Sequence, residues 1–473
     1  MLPSAGTVRP PADAGRRTSH FAMTQLGEAI ARYHKLIESE PYKDLAWAAA
    51  LQERMSAAHL TAGSRPVSPF LRPHFLSRRQ HAALIKAAES LLSAIDRIKQ
   101  MALANPALLA RMQLLPAEKM LAAIDPGYPY LAVTSLLNTH LGGGALRFVN
   151  YNADTAPGVA YGEALSDLFY DCPPVKEFRR RYSLAKMGGT RQLVPAVLRA
   201  WKEFGGRKKP RIGVLEFRQP FQAAESGEYV LLNEVFRREG LCSEIVSPDQ
   251  LEYKGGVLRR ENFVIDLVFR RVKVQEFLLR FDLSHPLVRA YRDRVACVVN
   301  SFRSELAHKR AIFDMLTDEA ITASFPAAER RAIQEHIPWT RVVAPRRVKY
   351  HNRNVDLPEF ILKHRQKLAL KPNDDTGEQH TFRGWELDEA AWERALKTAS
   401  RYPYVVQERV EPAKEFFPVL RYGQMEMREM HVEVHPHAYL GRVQGCSSWL
   451  SDEAPGGFSA INGLAPTFIL ETK

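Results

Sequence analysis

Cysteine is scarce in this sequence. The 473 residues contain four, at positions 172, 242, 297 and 446, far apart and without a CxxC pair. This pattern argues against a zinc ribbon and against a disulfide scaffold. We therefore expect a reduced, cytoplasmic protein.

Long hydrophobic runs are also missing. No apolar stretch approaches the ~18 residues that a membrane-spanning helix needs, so no membrane partner is expected. The first 20 residues are rich in Pro, Gly, Ala and Arg and lack the apolar core of a secretory signal. Residues 1–20 are therefore predicted to be a disordered leader.

Basic residues exceed acidic ones, with 66 Lys and Arg against 53 Asp and Glu, a formal net charge of +13. Proteins that bind nucleic acid usually cluster such charge on one face. Here it is scattered, and the short clusters at 179–181 and 207–209 are not interleaved with aromatic residues. An anionic small molecule such as ATP is the simpler partner, and an RNA- or DNA-associated protein is the weaker alternative.

Residues 21–143 are predicted to form a helical N-terminal region. Apolar residues recur every three or four positions from His81 to Leu92, and Ser77 is a candidate N-cap for that helix. No chemistry is assigned to this region.

The rest of the chain is predicted to form two mixed regions, 144–300 and 301–473. In the first, strands such as 211–217 and 264–270 alternate with helices such as 228–238, which predicts an α/β unit with a largely parallel sheet. In the second, we expect a helix over 303–317 and strands over 367–371, 404–410 and 427–434.

Two lysines are candidates for binding phosphate. Lys309 lies on the predicted helix 303–317, and Lys371 ends an apolar strand before a polar loop that contains Gly377. A lysine in such a place can meet a phosphate as a point charge. The alternative is a solvated lysine at a strand end.

The strand that follows Lys371 has a polar end, Gln407-Glu408-Arg409-Val410. Its backbone can offer donors and acceptors to an adenine edge, and its apolar side chains can line the pocket. The alternative interpretation is a core strand with a polar end.

Two patterns of alternating polar residues suggest metal sites. Asn150, Asn152 and Asp154 share one strand face if the strand persists, and oxygen ligands suit Mg²⁺; an Asn/Asp-rich turn is the alternative. His431, Glu433 and His435 alternate likewise and would suit a transition metal, although an exposed strand face gives the same pattern.

Taken in order, five segments resemble the circularly permuted ATP-grasp proteins related to glutathionylspermidine synthase. They are Phe148–Gly158, similar to the family's E-x-N-A-D-(T/S)-P turn, Ile265–Arg271, similar to I-D-L-V-Y-R-R, Val298–Lys309, Leu370–Asn373 and Val405–Glu408. The resemblance runs from about residue 70 to the C-terminus, with the metal-side turn before the nucleotide lysines.

The resemblance implies a circularly permuted ATP-grasp fold of class α/β (α+β), with a pre-ATP-grasp α/β domain at 144–300 and a nucleotide-binding region at 301–473. It also implies an ATP site, Mg²⁺, and small-molecule carboxylate and amine substrates joined through an acyl phosphate. The implied residues are, for the nucleotide, Lys309, Lys371, Gln407, Glu408 and Val410; for the metal, Asn150, Asn152 and Asp154; and for catalysis, Asn152 and Arg271.

The sequence departs from the family at three places. Asn150 stands where the family turn has Glu, no acid precedes Leu146 where the family supplies Asp, and the glycine-rich loop is altered to Thr376–His380. Asp154 is the candidate to compensate. These departures leave two hypotheses: an ATP-dependent carboxylate–amine ligase, or a catalytically degenerate ATP-grasp protein that binds a nucleotide or a partner.

Overall fold

The computed structural model of the chain describes residues 24–63, 65–142, 145–217, 227–374, 380–452 and 461–472. The predicted leader, residues 1–20, and residues 376–379 of the altered loop lie outside these ranges. Within them the protein is a mixed α/β structure with several sheets. No helix in these ranges is long and apolar enough to cross a membrane.

The helices of the described ranges vary from one turn to more than seven. In chain order they are α1 (Gln25–Ile37), α2 (Ala46–Ala57), α3 (Arg78–Ala104), α4 (Pro106–Arg111), α5 (Pro116–Ala123), α6 (Val159–Tyr170), α7 (Pro173–Phe178), α8 (Thr190–Glu203), α9 (Gly227–Arg238), α10 (Val274–Arg280), α11 (Pro286–Arg292), α12 (Glu305–His308), α13 (Ala311–Leu316), α14 (Glu319–Thr322), α15 (Ala327–His336), α16 (Leu357–Lys363) and α17 (Glu389–Arg401).

The strands are mostly short in the first half of the chain and longest near its end. They are β1 (Thr61–Ala62), β2 (Arg65–Pro66), β3 (His74–Ser77), β4 (Thr134–Gly142), β5 (Ala145–Asn152), β6 (Tyr182–Lys186), β7 (Ile212–Leu215), β8 (Ser243–Val246), β9 (Glu252–Lys254), β10 (Val257–Arg260), β11 (Phe263–Val264), β12 (Leu267–Arg270), β13 (Cys297–Val299), β14 (Thr340–Val342), β15 (Arg347–Tyr350), β16 (Arg353–Asp356), β17 (Leu368–Pro372), β18 (Phe382–Arg383), β19 (Tyr404–Glu408), β20 (Ala413–Arg421), β21 (Gln424–Tyr439), β22 (Arg442–Ser451) and β23 (Asn462–Thr472).

The predicted parallel unit is confirmed. Four strands pair in parallel in the order β13-β12-β7-β8, which we call the parallel sheet. All four residues of β7 and of β12 are buried, as expected for a sheet covered on both faces. The strand predicted over 264–270 is interrupted, because β11 pairs instead with β10 in a separate antiparallel sheet.

An eight-stranded sheet, the large sheet, has the order β3-β23-β22-β21-β4-β5, with β20 paired to β21 and β6 to β23. Phe148 and Tyr151 of β5 share one hydrophobic core with Leu91 and Ile95 of α3. The alternate residues of the same strands are polar. The sheet therefore rests on α3 with one face and presents a polar surface on the other.

A four-stranded antiparallel sheet with the order β14-β19-β17-β18, the small sheet, carries the second lysine strand. Its core joins Leu368 and Leu370 of β17 to Phe360 of α16 and Trp392 of α17. The apolar side of β17 is buried against these helices.

The predicted N-terminal helix is confirmed and is longer than expected. Ser77 caps α3 through a capping box in which Gln80 returns the hydrogen bond. The region 21–143 also contributes β3 and β4 to the large sheet. The domain limits given by the sequence stay a prediction.

The single helix predicted over 303–317 is wrong. Lys309 has extended backbone (φ −67°, ψ 132°) between α12 and α13. The amides of Arg310 and Ala311 bond to the carbonyl and the side chain of Asn373, at 2.8 Å each. Because these donors are used outside the helix, the turn is broken at the lysine.

Asn300 joins the parallel sheet to the large sheet. Its Oδ1 accepts from the amides of Val133 and Thr134 at 2.8 and 3.0 Å. Its Nδ2 donates to the carbonyls of Thr134 and Ala153 at 2.7 and 2.6 Å. The side chain is 2% exposed, so water cannot replace these bonds.

We expect Asn300→Ala to lower the free energy of unfolding by about 2–4 kcal/mol, because it leaves several buried backbone groups without partners. Chemical denaturation followed by circular dichroism measures this. Asn354→Ala, on an exposed position of β16, is the control and should change stability by less than about 0.5 kcal/mol. Equal effects of the two variants would contradict a joining role for Asn300.

Candidate functional site

The lysine at the end of β17 is fixed by a neighbouring strand. Lys371 pairs with Val405 in the small sheet, and its Nζ donates to Oε1 of Gln407 at 2.8 Å. Nε2 of Gln407 donates to Oγ1 of Thr340 at 3.1 Å, and Gln407 is buried. The side chain of Gln407 therefore orients Lys371, and the backbone of Gln407 is paired with Ala369 of β17 and Thr340 of β14 in the small sheet.

The segment after β19 borders a cavity of about 1400 Å³. Glu408 and Val410 line it, together with His140 and Arg147 of the large sheet. The carboxylate of Glu408 accepts from the Tyr350 hydroxyl at 2.7 Å and lies 3.2 Å from Nε2 of His351. Among the described residues that line this cavity, neither predicted phosphate lysine is present.

Lys309 is enclosed by three carboxylates, which we call the acid cage: Glu118 of α5, Glu305 of α12 and Asp374. Its Nζ lies 2.8 Å from Glu118 and 2.8 Å from Glu305, and it also bonds Asp374. Lys309 is 2% exposed. Burial opposes its charge, but the three carboxylates raise the pKa of Lys309 above its usual value. The ammonium is thus already neutralised within the protein.

The acid cage holds more negative charge than Lys309 can balance. Burial, together with the nearby carboxylates of Asp154 and Asp374, raises the pKa of Glu305 to about 7 against the lowering effect of Lys309. His308 pairs with Asp374 at 3.2 Å. The cage is therefore a buried ionic cluster that joins α5, α12 and the segment after β17.

The predicted metal-side turn is held by its own hydrogen bonds. Oδ1 of Asn152 accepts from the amides of Asp154, Thr155 and Ala156 at 3.0 to 3.2 Å. Asp154 is 1% exposed; it pairs with Arg270 and accepts from the Val274 amide at 3.0 Å. Their side-chain oxygens are used for folding, as in the turn interpretation of the sequence.

These residues do not fit Mg²⁺. The ion prefers charged oxygen ligands, whereas Asn150 is a neutral amide and the oxygens of Asn152 and Asp154 are engaged. In the described part of the chain, the one group of acidic or histidine ligand atoms within 4.8 Å of one another is Glu118, Glu305 and Asp374, and Lys309 lies among them. The ligand atoms of the alternative set His431, Glu433 and His435 do not converge in this way.

Arg271 lies at the carboxyl end of β12, next to the carboxyl end of β7. Its Nη2 donates to Glu228 at 2.7 Å, and Nη1 donates to the carbonyls of Thr155 and Ala156, the latter at 3.0 Å. Arg271 is buried. It therefore fixes the turn after β5 against the start of α9.

A half-buried polar cluster that the sequence did not predict lies on the polar face of the large sheet. It consists of side chains from β5, β4 and β21 and is called here the polar platform: Asn138, His140, Asn150, Glu433 and His435. Nδ2 of Asn138 donates to Glu433 at 3.1 Å, His435 lies 3.1 Å from the same carboxylate, and His140 lies 3.8 Å from its other oxygen.

Alternation in the sequence indicated the β21 half of the polar platform, because residues 431, 433 and 435 share one face of that strand. It missed the β4 half, because residues 21–143 were predicted to be helical. The available signal was the position of Asn138 and His140 two residues apart, flanked by Leu137 and Leu141 and separated by the β-branched Thr139. Only the antiparallel pairing of β4 with β21 brings the two halves together.

Charges on the polar platform compensate one another. Burial alone would raise the pKa of Glu433, but the hydrogen bond and charge of His435, the charge of His140 and the hydrogen bond from Asn138 lower it to about 2. Burial lowers the pKa of His140; Glu433 opposes this shift and the charge of Lys371 adds to it. The end of β17 therefore lies within electrostatic reach of the polar platform.

Comparison with known proteins shows likeness in structure only. No family model matches the chain, and no curated protein matches it. A glutathione synthetase-like effector from Globodera pallida, solved in its apo form, superposes with a TM-score of 0.62 at 13% identity, over 92% of this chain and 98% of that chain. A candidate gamma-glutamylcysteine synthetase from Methylobacillus flagellatus gives 0.41 at 12%, over 82% and 86%.

The first of these likenesses shows that the chain has a glutathione synthetase-like fold. The mixed α/β architecture expected from the sequence agrees with it. The circular permutation and the roles of the individual site residues stay predictions.

We expect Lys309→Met to lower the free energy of unfolding by about 3–5 kcal/mol, because it leaves the buried carboxylates without their cation. Lys363→Met, at an exposed Lys363–Glu359 pair, should cost less than about 0.5 kcal/mol. Denaturation curves of the two variants measure the difference. Unchanged stability of Lys309→Met would contradict the role of Lys309 in the acid cage.

The raised pKa of Glu305 predicts a pH dependence. Because its folded-state value of about 7 lies above the ordinary 4.5, ionisation of Glu305 should reduce stability as the pH rises from about 4.5 to 7, by up to about 3 kcal/mol. Glu305→Gln should remove this loss, so that the variant gains on the wild type between pH 5 and pH 8. The free energy of unfolding of Glu359→Gln, on an exposed helix position, should change with pH as that of the wild type does. The same pH dependence in Glu305→Gln would contradict the prediction.

Proposed function

We propose that this protein binds ATP in the cleft between the small sheet and the polar platform. The observation that carries the proposal is the Lys371–Gln407 pair, a fixed ammonium at the end of a strand within electrostatic reach of the platform. Lysine meets phosphate as a compact, hydrated point charge. Glu408 and Val410 then lie where the base would enter the cavity.

The volume of the cavity is large enough for a ligand of nucleotide size. Cavities that hold small molecules usually measure about 300–1000 Å³, and the space beside Glu408 and Val410 is about 1400 Å³. The solved effector that shares the fold is named for its likeness to glutathione synthetase, which also supports a nucleotide in this cleft.

An ATP-dependent carboxylate–amine ligase is the second candidate. In that reaction the γ-phosphoryl group passes to a carboxylate oxygen and ADP leaves; the amine nitrogen then bonds the acyl carbon as phosphate departs and a proton is lost. The position of Arg271 favours this candidate, since ligands of open parallel sheets bind at the carboxyl ends of strands where the strand order reverses. A substrate carboxylate would have to replace Glu228 as the partner of Arg271.

Three side chains that a ligase would need already have partners within the fold, which favours nucleotide binding over turnover. Lys309 is neutralised by the acid cage, Asp154 is paired with Arg270, and Asn152 caps its own turn. Each group that the sequence assigned to phosphate or metal chemistry, apart from Lys371 and Asn150, thus has a structural role. ATP binding is therefore proposed first and ligation second.

We expect Lys371→Ala to weaken ATP binding about tenfold or more, the usual effect of losing a charged hydrogen bond to phosphate. Isothermal calorimetry with ATP measures this. Lys367→Ala is the matched control, because Lys367 is exposed just before the same strand, and it should bind like the wild type.

Failure of ATP to bind the wild type would refute the proposed function. Equal weakening by both lysine variants would show that Lys371 has no special part in it. Release of ADP above background when mixed carboxylates and amines are supplied would move the ligase to first place.

A further inference from the structure

We propose that the end of α8 and the loop that follows it form a binding surface for single-stranded nucleic acid. The surface, called here the basic patch, consists of Arg199, Lys202, Arg207, Lys208 and Lys209, and all five side chains are exposed. The segment 199–209 contains a single acidic residue, Glu203, against these five. The inference goes beyond the proposed binding of ATP and does not rest on it.

The cations of the basic patch have no carboxylate partner. In the part of the chain that the structure describes, no salt bridge reaches any of the five, whereas Arg211, the next basic residue, pairs with Asp266 at 2.9 Å. Basic residues often stabilise the C-terminus of a helix, and Lys202 lies in the last turn of α8. That explanation does not apply to the loop residues 207–209, whose charge can therefore meet an anionic partner.

Aromatic rings lie beside these cations, although the sequence does not interleave the two. Nε1 of Trp201 donates to the carbonyl of Lys208 at 2.7 Å, so the loop folds back against the indole. Phe204 stacks on Trp201 with ring centroids 5.9 Å apart, and the guanidinium of Arg199 lies 5.6 Å from the centroid of Tyr130. All three aromatic side chains are partly exposed, so rings and cations share one surface.

The end of α9 extends the positive charge. Nζ of Lys209 donates to the carbonyl of Gly240 at 3.2 Å, which holds the loop against the end of that helix. Residues 237–239 there add two exposed arginines and one exposed glutamate. The segments 199–209 and 237–240 together contain seven basic residues and two acidic ones, and such an excess favours a partner with many negative charges.

Single-stranded nucleic acid fits both components of this surface. Lysine and arginine neutralise its phosphates, and aromatic side chains contact the bases that a single strand leaves unpaired. An anionic lipid surface would use the charge but has no bases for the rings to contact. Among the described residues that line the cavity, none belongs to the basic patch, so the two surfaces can be tested separately.

The test is fluorescence anisotropy of the full-length protein with a labelled single-stranded RNA of about 20 nucleotides. Neutralisation of about four phosphates should give a slope of about −3 when log K is plotted against log salt concentration. Arg207→Gln/Lys208→Gln should weaken binding about fivefold or more and bring the slope about 1 to 1.5 closer to zero. Tyr130→Leu should weaken binding about threefold without changing the slope, because the ring carries no charge.

Arg180→Gln/Arg181→Gln is the matched control, because it removes the same charge from the other short basic cluster, and it should bind RNA like the wild type. Circular dichroism checks that the variants fold, and both double variants should keep the ATP binding of the wild type, whatever that is.

Absence of RNA binding at low salt, or equal loss in the two double variants, would overturn the proposal and leave the proposed function untouched. Full affinity of folded Tyr130→Leu would overturn the role of the ring. Binding to vesicles that contain phosphatidylserine but not to RNA would overturn the choice of partner.

Discussion

The buried ion pair between Arg270 and Asp154 is the interaction on which the site depends. Both side chains are 1% exposed, and Arg270 also donates to the carbonyl of Asn300 at 3.0 Å. Because Asn300 in turn bonds the start of β4 and Ala153 at the start of the turn after β5, the parallel sheet and the large sheet are fixed to one another. A buried charge is tolerated only when it is paired in this way, so the pair holds the turn after β5 against the end of β12.

That constraint has a consequence for function. A carboxylate that neutralises a buried arginine is not available to a metal ion, and an amide oxygen that accepts three backbone hydrogens is not available either. The same holds for Lys309, whose charge is used by the acid cage. Charged groups that the sequence pattern associates with phosphate or metal chemistry therefore have partners within the fold here, while His140 and Arg147 line the cavity.

Much of the architecture followed from local pattern. The helix capped by Ser77 and the parallel strands 212–215 and 243–246 were predictable, because a capping residue and a short buried apolar run are local signals. The break at Lys309 was not, since it depends on hydrogen bonds to Asn373, 64 positions away. The strand β4 was missed for a related reason: its polar and apolar alternation matters only beside β21.

By itself the sequence determined the mixed α/β character of the chain, the alternation of strands and helices in its middle, and the position of Lys371 near a strand end, because each follows from spacing along the chain. The tertiary structure alone decided which charges have partners. Whether an aspartate binds a metal or an arginine, and whether a lysine meets a ligand or three carboxylates, depends on groups from distant segments. Because these groups are buried, leaving one of their charges unpaired would cost much free energy. The local sequence pattern does not reveal which pairs form.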